Sequence, residues 1–449
     1  MNLRDTPGSP ADAVLLATRR YVGAYPSAAL CVGITHRGEH HVRMLRGQGE
    51  PPTEESLYAL GALTQVFTGT LLALLVDRGE ARLDTPLQEL IPRSLLPDEA
   101  AGRITLEQLA THTSGMPYDP PNLWTGTWNP ADPYGHYNAT LFGDFLRGYH
   151  PPRPPPRRYA ESLLGMGVLG HALSRRLKLN YAHAVRDWLC TPLKLGDTTA
   201  RPSETQEPRV LRGHTARGEP VPAWAWSALP GAGALYSTVP DLLRFLDANL
   251  GHWQVGLTHA ARLAHTPRVK TWGKRVGLGW NVSRVRGRPL VWRSSAMGGY
   301  SGFLGFSVET DTGVVVLSDH APSPSPRCCG ACRSRPSGSR SSPVTDSQPQ
   351  VLVGYQEIQL PAELLELLDS SVPDIHRLLP SARLEGKRLL QAVVDAGIDI
   401  RLLQLPHGQT FEIARPLPGL GLRQRLREDF LPGLPRSSHK TTTSFEVSR

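Results

Sequence analysis

Cysteine is scarce in this 449-residue chain: five residues are too few for a disulfide framework. Cys31 and Cys190 stand alone in apolar or mixed surroundings and are expected to be small buried side chains. Cys328, Cys329 and Cys332 cluster, but without a His pair they make a poor zinc site. The one nearby histidine, His320, borders a Ser/Pro/Arg-rich segment expected to be unfolded, so no metal is expected. Long hydrophobic runs are also missing. No stretch approaches the roughly 18 apolar residues of a membrane span, so none is expected. The longest stretch, Leu71 to Val76, ends at Asp77 and Arg78 and reads as a buried helix. No apolar core follows the charges of Met1 to Tyr25, so no secretory signal is visible and a cytoplasmic location is expected. Charge of neither sign dominates. Lys and Arg number 49 against 40 Asp and Glu, a net +9, which permits an anionic partner without demanding one. No nucleic-acid partner is expected.

Forty per cent hydrophobic and 20% charged residues, with a mean hydropathy of -0.27, exclude wholesale disorder. The 43 Gly and 41 Pro predict many loops and a Pro-rich linker. Composition divides the chain into a large globular region at 10–320, a disordered linker at 321–350, a small α+β module at 351–416 and a tail at 417–449. Within the first region Ala28 to Thr35 and Glu39 to Leu45 read as a hairpin. Phe67, Leu71, Leu74 and Leu75 have helical spacing within Gln65 to Arg78. Further helices are predicted at Leu106 to Thr111, Leu164 to Leu177, Tyr181 to Leu189 and, after a Ser237-Thr238 cap, Val239 to Leu250. Gly302 to Val308 and Gly313 to Leu317 read as strands. Pro120 to Pro156, rich in Pro, Tyr, Trp and Gly, reads as a long loop excursion of the kind that borders a site. Strands at both ends with helices between them suggest one α/β sheet closed by the ends of the region.

Six segments, in order, carry a resemblance. They are Tyr58 to Asp84, Ile104 to Pro117 (ITLEQLATHTSGMP), Gly165 to Leu173, Pro192 to Thr198, Ala232 to Leu246, and Gly277 to Trp280 with Ala296 to Ser318. Together they resemble the serine β-lactamase-related hydrolases, of class C β-lactamase and DD-peptidase type, over roughly residues 15 to 319. The resemblance implies an antiparallel sheet flanked by helices plus a helical region. It also implies acyl-enzyme chemistry without a cofactor. A Ser opens a helix, and a Lys one turn later takes its proton. A Tyr two residues before an Asn helps move that proton, and a Lys or His two residues before a Gly lines the opposite wall.

Each of these positions departs from the pattern. The family's Gly-Ser-x-x-Lys reads Gly61-Ala62-Leu63-Thr64-Gln65, so Ala62 stands for the nucleophile and Gln65 for the base. Anchoring on Gly165-Met166-Gly167 without a gap places Glu161 at the Tyr position and Leu163 at the Asn position. A shift of two residues keeps Tyr159 as the Tyr and makes Glu161 the Asn. The ungapped register is preferred, and the Asn is lost in both. On the far wall the family's His-x-Gly reads Arg293-Ser294-Ser295, and a guanidinium is never a base. A methyl group cannot attack a carbonyl, and a neutral amide cannot take a proton.

Three readings follow. The preferred one is an inactive relative that keeps the cleft for binding. The second is a β-lactamase, esterase or peptidase with a remodelled site that uses Glu161 and water. The third is a decayed or frameshifted product, motivated by the Ser, Pro, Arg and Cys that follow Asp319. Under the first, the cleft is expected to bind a small anion through Arg293 and the N–H groups of the helix that begins near Ala62. Tyr118, Trp124, Trp128, Tyr134 and Tyr137 are the expected aromatic walls. The competing expectation pairs Arg293 with Glu161 across the cleft, which plugs it.

Overall fold

The computed structural model describes residues 27–321, apart from 126–128, 130, 152–157, 254, 272 and 286. The chain divides into two units, Met1–Val372 and Pro373–Arg449, and all described residues belong to the first. The expected linker at 321–350, α+β module at 351–416 and tail at 417–449 therefore lie outside the described residues, save Ala321.

The expected antiparallel sheet flanked by helices is present. Eight strands form it: β1 (Ala29–His36), β2 (Glu39–Arg46), β3 (Val269–Lys270), β4 (Arg275–Val276), β5 (Asn281–Val285), β6 (Arg288–Met297), β7 (Tyr300–Ser307) and β8 (Thr312–Ser318). Their spatial order is β2-β1-β8-β7-β6-β5-β4-β3. The first and last long strands of the region thus lie side by side, with Leu30 opposite Ser318 and His36 opposite Thr312. The β1–β2 hairpin turns at Arg37-Gly38, both at positive φ.

Helix α1 (Thr64–Asp77) is buried on every side from Thr64 to Leu75. A helix apolar all round belongs in the interior of a domain rather than on its surface. Each of Leu71, Leu72, Leu74 and Leu75, fully buried here, contributes about 1.5–3 kcal/mol of apolar transfer free energy. Gly69 lets this helix touch the backbone ahead of β5: a Cβ there would fall 2.0 Å from the Leu278 carbonyl oxygen. Phe67 stacks on Phe245, ring centroids 4.1 Å apart, and so joins α1 to the helix Val239–Leu250 capped by Thr238. That helix packs on β1 at Gly33, where a Cβ would lie 2.5 Å from Val239 Cγ1.

Helix α2 (Leu106–Ala110) opens with a capping box between Thr105 and Gln108. The segment after it departs from expectation. Residues 120–156, read as a loop excursion, contain α3 (Ala139–Gly148), a ten-residue helix capped by Asn138. Phe142, Phe145 and Leu146 bury its inner face. Gly143 and Gly148 lower helix propensity and hide the periodicity, and tertiary burial of the aromatic face overrides that penalty. Helix α4 (Leu163–Leu177) follows, with Ser162 as its N-cap. The helix expected over Tyr181 to Leu189 is α-helical only to Val185 and then widens into one π turn, Arg186–Cys190. Cys31 and Cys190 are buried free thiols. Among the described residues no helix is long and apolar enough to cross a membrane.

Candidate functional site

Gly61–Leu63 form a single 3-10 turn that leads into α1. Gly61 has φ +51°, and a Cβ there would fall 2.5 Å from Ser295 Oγ, so only glycine fits between the turn and β6. The turn thereby presses Ala62 against the middle of the sheet. The Ala62 N–H donates to Ser295 Oγ at 2.9 Å. The donor expected to be free for an anion is already used.

Gln65, in the first turn of α1, is fully buried. Its Oε1 accepts from Arg293 Nη2 at 2.6 Å. Arg293 sits in β6 opposite Leu304, and its side chain is 3% exposed. The same Nη2 donates to Glu161 Oε1 at 2.5 Å. The Arg293–Glu161 pair of the competing expectation is present, but it narrows the cleft without filling it.

Glu161 is held by the start of α4. Ser162 Oγ accepts from the Gly165 N–H at 2.8 Å and donates to the Pro117 carbonyl at 2.7 Å. The Ser162 N–H donates to His112 Nδ1 at 3.2 Å. The turn at His112 (φ +57°) and the head of α4 are therefore one hydrogen-bonded corner, and Glu161 projects from it. Burial by itself pushes Glu161 up. Arg293, with weaker help from His112 and Lys274, pulls it down further, and the carboxyl ends at about 2. Burial pushes His112 down to about 4, although the charge of Glu161 opposes that. Lys274 lies over the rings of Tyr159 and Trp292, at 5.4 and 5.5 Å from their centroids.

Ala62, Glu161 and Arg293 line one cavity of about 60 Å³, together with Lys274, Asn281, Ser294 and Ser295. That is room for a few water-sized groups. Leu163 does not line it: it is buried in the first turn of α4. Tyr159 does not line it either, and its hydroxyl donates to Glu161 Oε2 at 3.2 Å. Thr64, the hydroxyl residue nearest Ala62 in the chain, is fully buried, and its Oγ1 accepts from the Leu235 N–H.

The aromatic walls are partly as expected. Tyr118, Trp124 and Tyr134 line the cavity. Tyr137 is instead buried, its hydroxyl directed at Asn122, because it belongs to the turn that enters α3. Trp128 lies outside the described residues. Sequence reasoning did not single out Trp224 or Asp119, which also line the cavity. Asp119 accepts from the Tyr134 hydroxyl at 2.5 Å. Burial pushes it up to about 6, against the lowering effect of that bond. Its place next to Tyr118, just ahead of the expected loop, was the only available signal.

Three metal-capable side chains meet outside this cavity: His214, Asp319 and His320, with ligand atoms within 4.8 Å of one another. His320, expected in an unfolded segment, is 1% exposed. The Asp319 carboxylate already accepts from Arg46 Nη2 at 2.6 Å and the Ala29 N–H at 2.8 Å. A guanidinium on that carboxylate leaves a metal cation little to gain. The cluster reads as a polar clamp between the end of β8 and the segment around His214. Cys328, Cys329 and Cys332 lie outside the described residues.

The profile of the β-lactamase family matches residues 15–329. The chain belongs to the β-lactamase family. It is 31% identical over 235 residues to penicillin-binding protein 4 of Amycolatopsis lactamdurans, an alignment that takes in 50% of this chain and 59% of that relative. Over 307 residues it is 25% identical to the D-alanyl-D-alanine-carboxypeptidase/endopeptidase AmpH of Escherichia coli, covering 62% of this chain and 77% of the relative. In fold it is similar to a class C β-lactamase from Rhodobacter sphaeroides, with a TM-score of 0.60 and 23% identity over 69% of this chain and 94% of that one. The antiparallel sheet flanked by helices is thus the family's fold.

Proposed function

We propose that this β-lactamase-family chain has lost acyl-enzyme chemistry and keeps the cleft as a binding cavity. One observation supports the reading: Ala62, which the motif spacing assigns to the family's serine position, lies in the cleft, and the groups around it are engaged with one another. Its N–H bonds Ser295, and Gln65 and Glu161 both bond Arg293. Ala62 has no atom that attacks a carbonyl, and Gln65 has no basic site at neutral pH. The remodelled alternative needs Glu161 as a general base for water. A carboxylate held at about 2 by a guanidinium is a poor base at neutral pH, where an effective one lies close to the working pH. Arg293, aligned with the family's Lys or His, has its charge answered by Glu161. This argues against the small anion first expected as ligand.

The test is intact-protein mass spectrometry after exposure to benzylpenicillin, beside a nitrocefin assay. The expected result is an unshifted mass and hydrolysis at the background rate. A mass increase of one penicilloyl group, or turnover above background, overturns the reading.

A further inference from the structure

We infer that the cavity beside Ala62 recognises an alkylammonium group, held by Asp119, the aromatic walls and Asn281. The inference rests on the reading of the cleft as a binding cavity.

Four acidic or basic side chains line the cavity: Asp119, Glu161, Lys274 and Arg293. Glu161 and Arg293 answer each other at 2.5 Å. Lys274 is placed over two aromatic rings. Asp119 is different. Its bond is to a neutral phenol, Tyr134, and among the described residues no Lys, Arg or His pairs with it. A carboxylate away from bulk water with no cation of its own is costly, and a ligand cation would relieve that cost.

The surroundings of Asp119 are those that favour an organic cation over a hydrated one. Tyr134, its hydrogen-bond partner, has Trp224 at 5.6 Å between ring centroids. Tyr118 and Trp124 complete an aromatic lining, while the Trp292 ring, also in the wall, already carries the Lys274 ammonium. Ring faces attract an ammonium group that has shed its water, and alkyl carbons gain from the same apolar walls. A carboxylate ligand next to Asp119 would meet that carboxylate and the negative faces of Tyr118 and Trp124 at a loss; the ammonium site is therefore the Asp119 end of the cavity and not the wall where Lys274 lies on Tyr159 and Trp292.

Asn281 supplies an independent observation. It lines the same cavity, is 3% exposed, and its Oδ1 has no hydrogen-bond partner. A buried acceptor without a donor calls for a ligand N–H. A primary ammonium offers three N–H groups and one positive charge, which suits both Asp119 and Asn281.

The experiment compares three small probes of one shape and different charge: propylammonium, 1-propanol and propionate. Binding is followed by tryptophan fluorescence at constant ionic strength, since Trp124, Trp224 and Trp292 line the cavity. The expected order is propylammonium tightest, with 1-propanol and propionate at least about tenfold weaker. In Asp119→Asn the preference for propylammonium over 1-propanol is expected to disappear while 1-propanol affinity stays the same. If that variant does not fold, the three-probe series on the parent protein decides alone. Equal or tighter binding of propionate or 1-propanol, or no saturable response to propylammonium, overturns the inference. Failure here is separable from failure of the proposed function: penicilloylation would show a working nucleophile and leave the ranking of the three probes unchanged.

Discussion

Replacing Arg293 by alanine tests the centre of the site most directly. The guanidinium is almost completely enclosed, and one nitrogen bonds both Glu161 and Gln65. Removing it leaves the Glu161 carboxylate, 21% exposed, without its main counter-charge. Breaking one half of a buried pair costs about 3–5 kcal/mol, and the residual exposure of Glu161 favours the lower end. The electrostatics point the same way: the Glu161 carboxyl is held at about 2 against the opposing effect of burial, chiefly by Arg293. With an unfolding entropy of about 0.6 kcal/mol/K for a domain of roughly 300 residues, the melting temperature should fall by roughly 5 °C. The pH dependence carries a sign. The folded-state value of Glu161 is depressed, so its stabilisation is present above about 4.5 and is lost as pH falls toward about 2. In Arg293→Ala burial acts on Glu161 without that opposing charge, and the carboxyl can protonate in the folded state. The stability gap between the variant and the parent should therefore narrow as pH is lowered from 7 to 4. Chemical denaturation of the parent, Arg293→Ala, Glu161→Ala and the double variant across that range measures both effects. A gap below about 0.5 kcal/mol at pH 7, or single effects that simply add in the double variant, would refute the reasoning.

The remaining expectations are narrower. Ala62→Ser alone should give no nitrocefin turnover above the parent, because the groups beside the new hydroxyl are a neutral amide and a carboxylate held at about 2; measurable hydrolysis would reveal a base this reading misses. His112→Asn should flatten the dependence of stability on pH between about 6.5 and 4. His112 stays neutral in the folded protein down to about 4, so the unfolded chain takes up a proton first and stability falls as pH drops through that window. Asn tolerates the positive φ of this position and can still accept from the Ser162 N–H; equal slopes for parent and variant in urea titrations would show that His112 does not drive the effect.

The sequence by itself determined the family, the β1–β2 hairpin, the strands β7 and β8, the helices α1, α2, α4 and Val239–Leu250, and the residue types at the motif positions. These are local properties: hydrophobic period, caps such as Thr105 and Thr238, and the identity of side chains at fixed spacing from Gly61 or Gly165. Sequence also brought Ala62, Glu161 and Arg293 to one cleft, because family order carries tertiary neighbourhood with it. Choices between partners were not legible there. Arg293 could meet a ligand anion or Glu161, 132 positions away, and only the folded position of the corner ahead of α4 selects the second. The Ala62 N–H could stay free or bond Ser295, 233 positions away, and the close approach at Gly61 selects the bond. The same holds for α3, whose glycines hide its period until Phe142 and Phe145 find a buried face, and for Asp119, which becomes a cavity residue only when Tyr134 folds back onto it. Local propensity and motif spacing act over a few residues, whereas charge pairing and burial depend on distances that the chain sets only once it is folded.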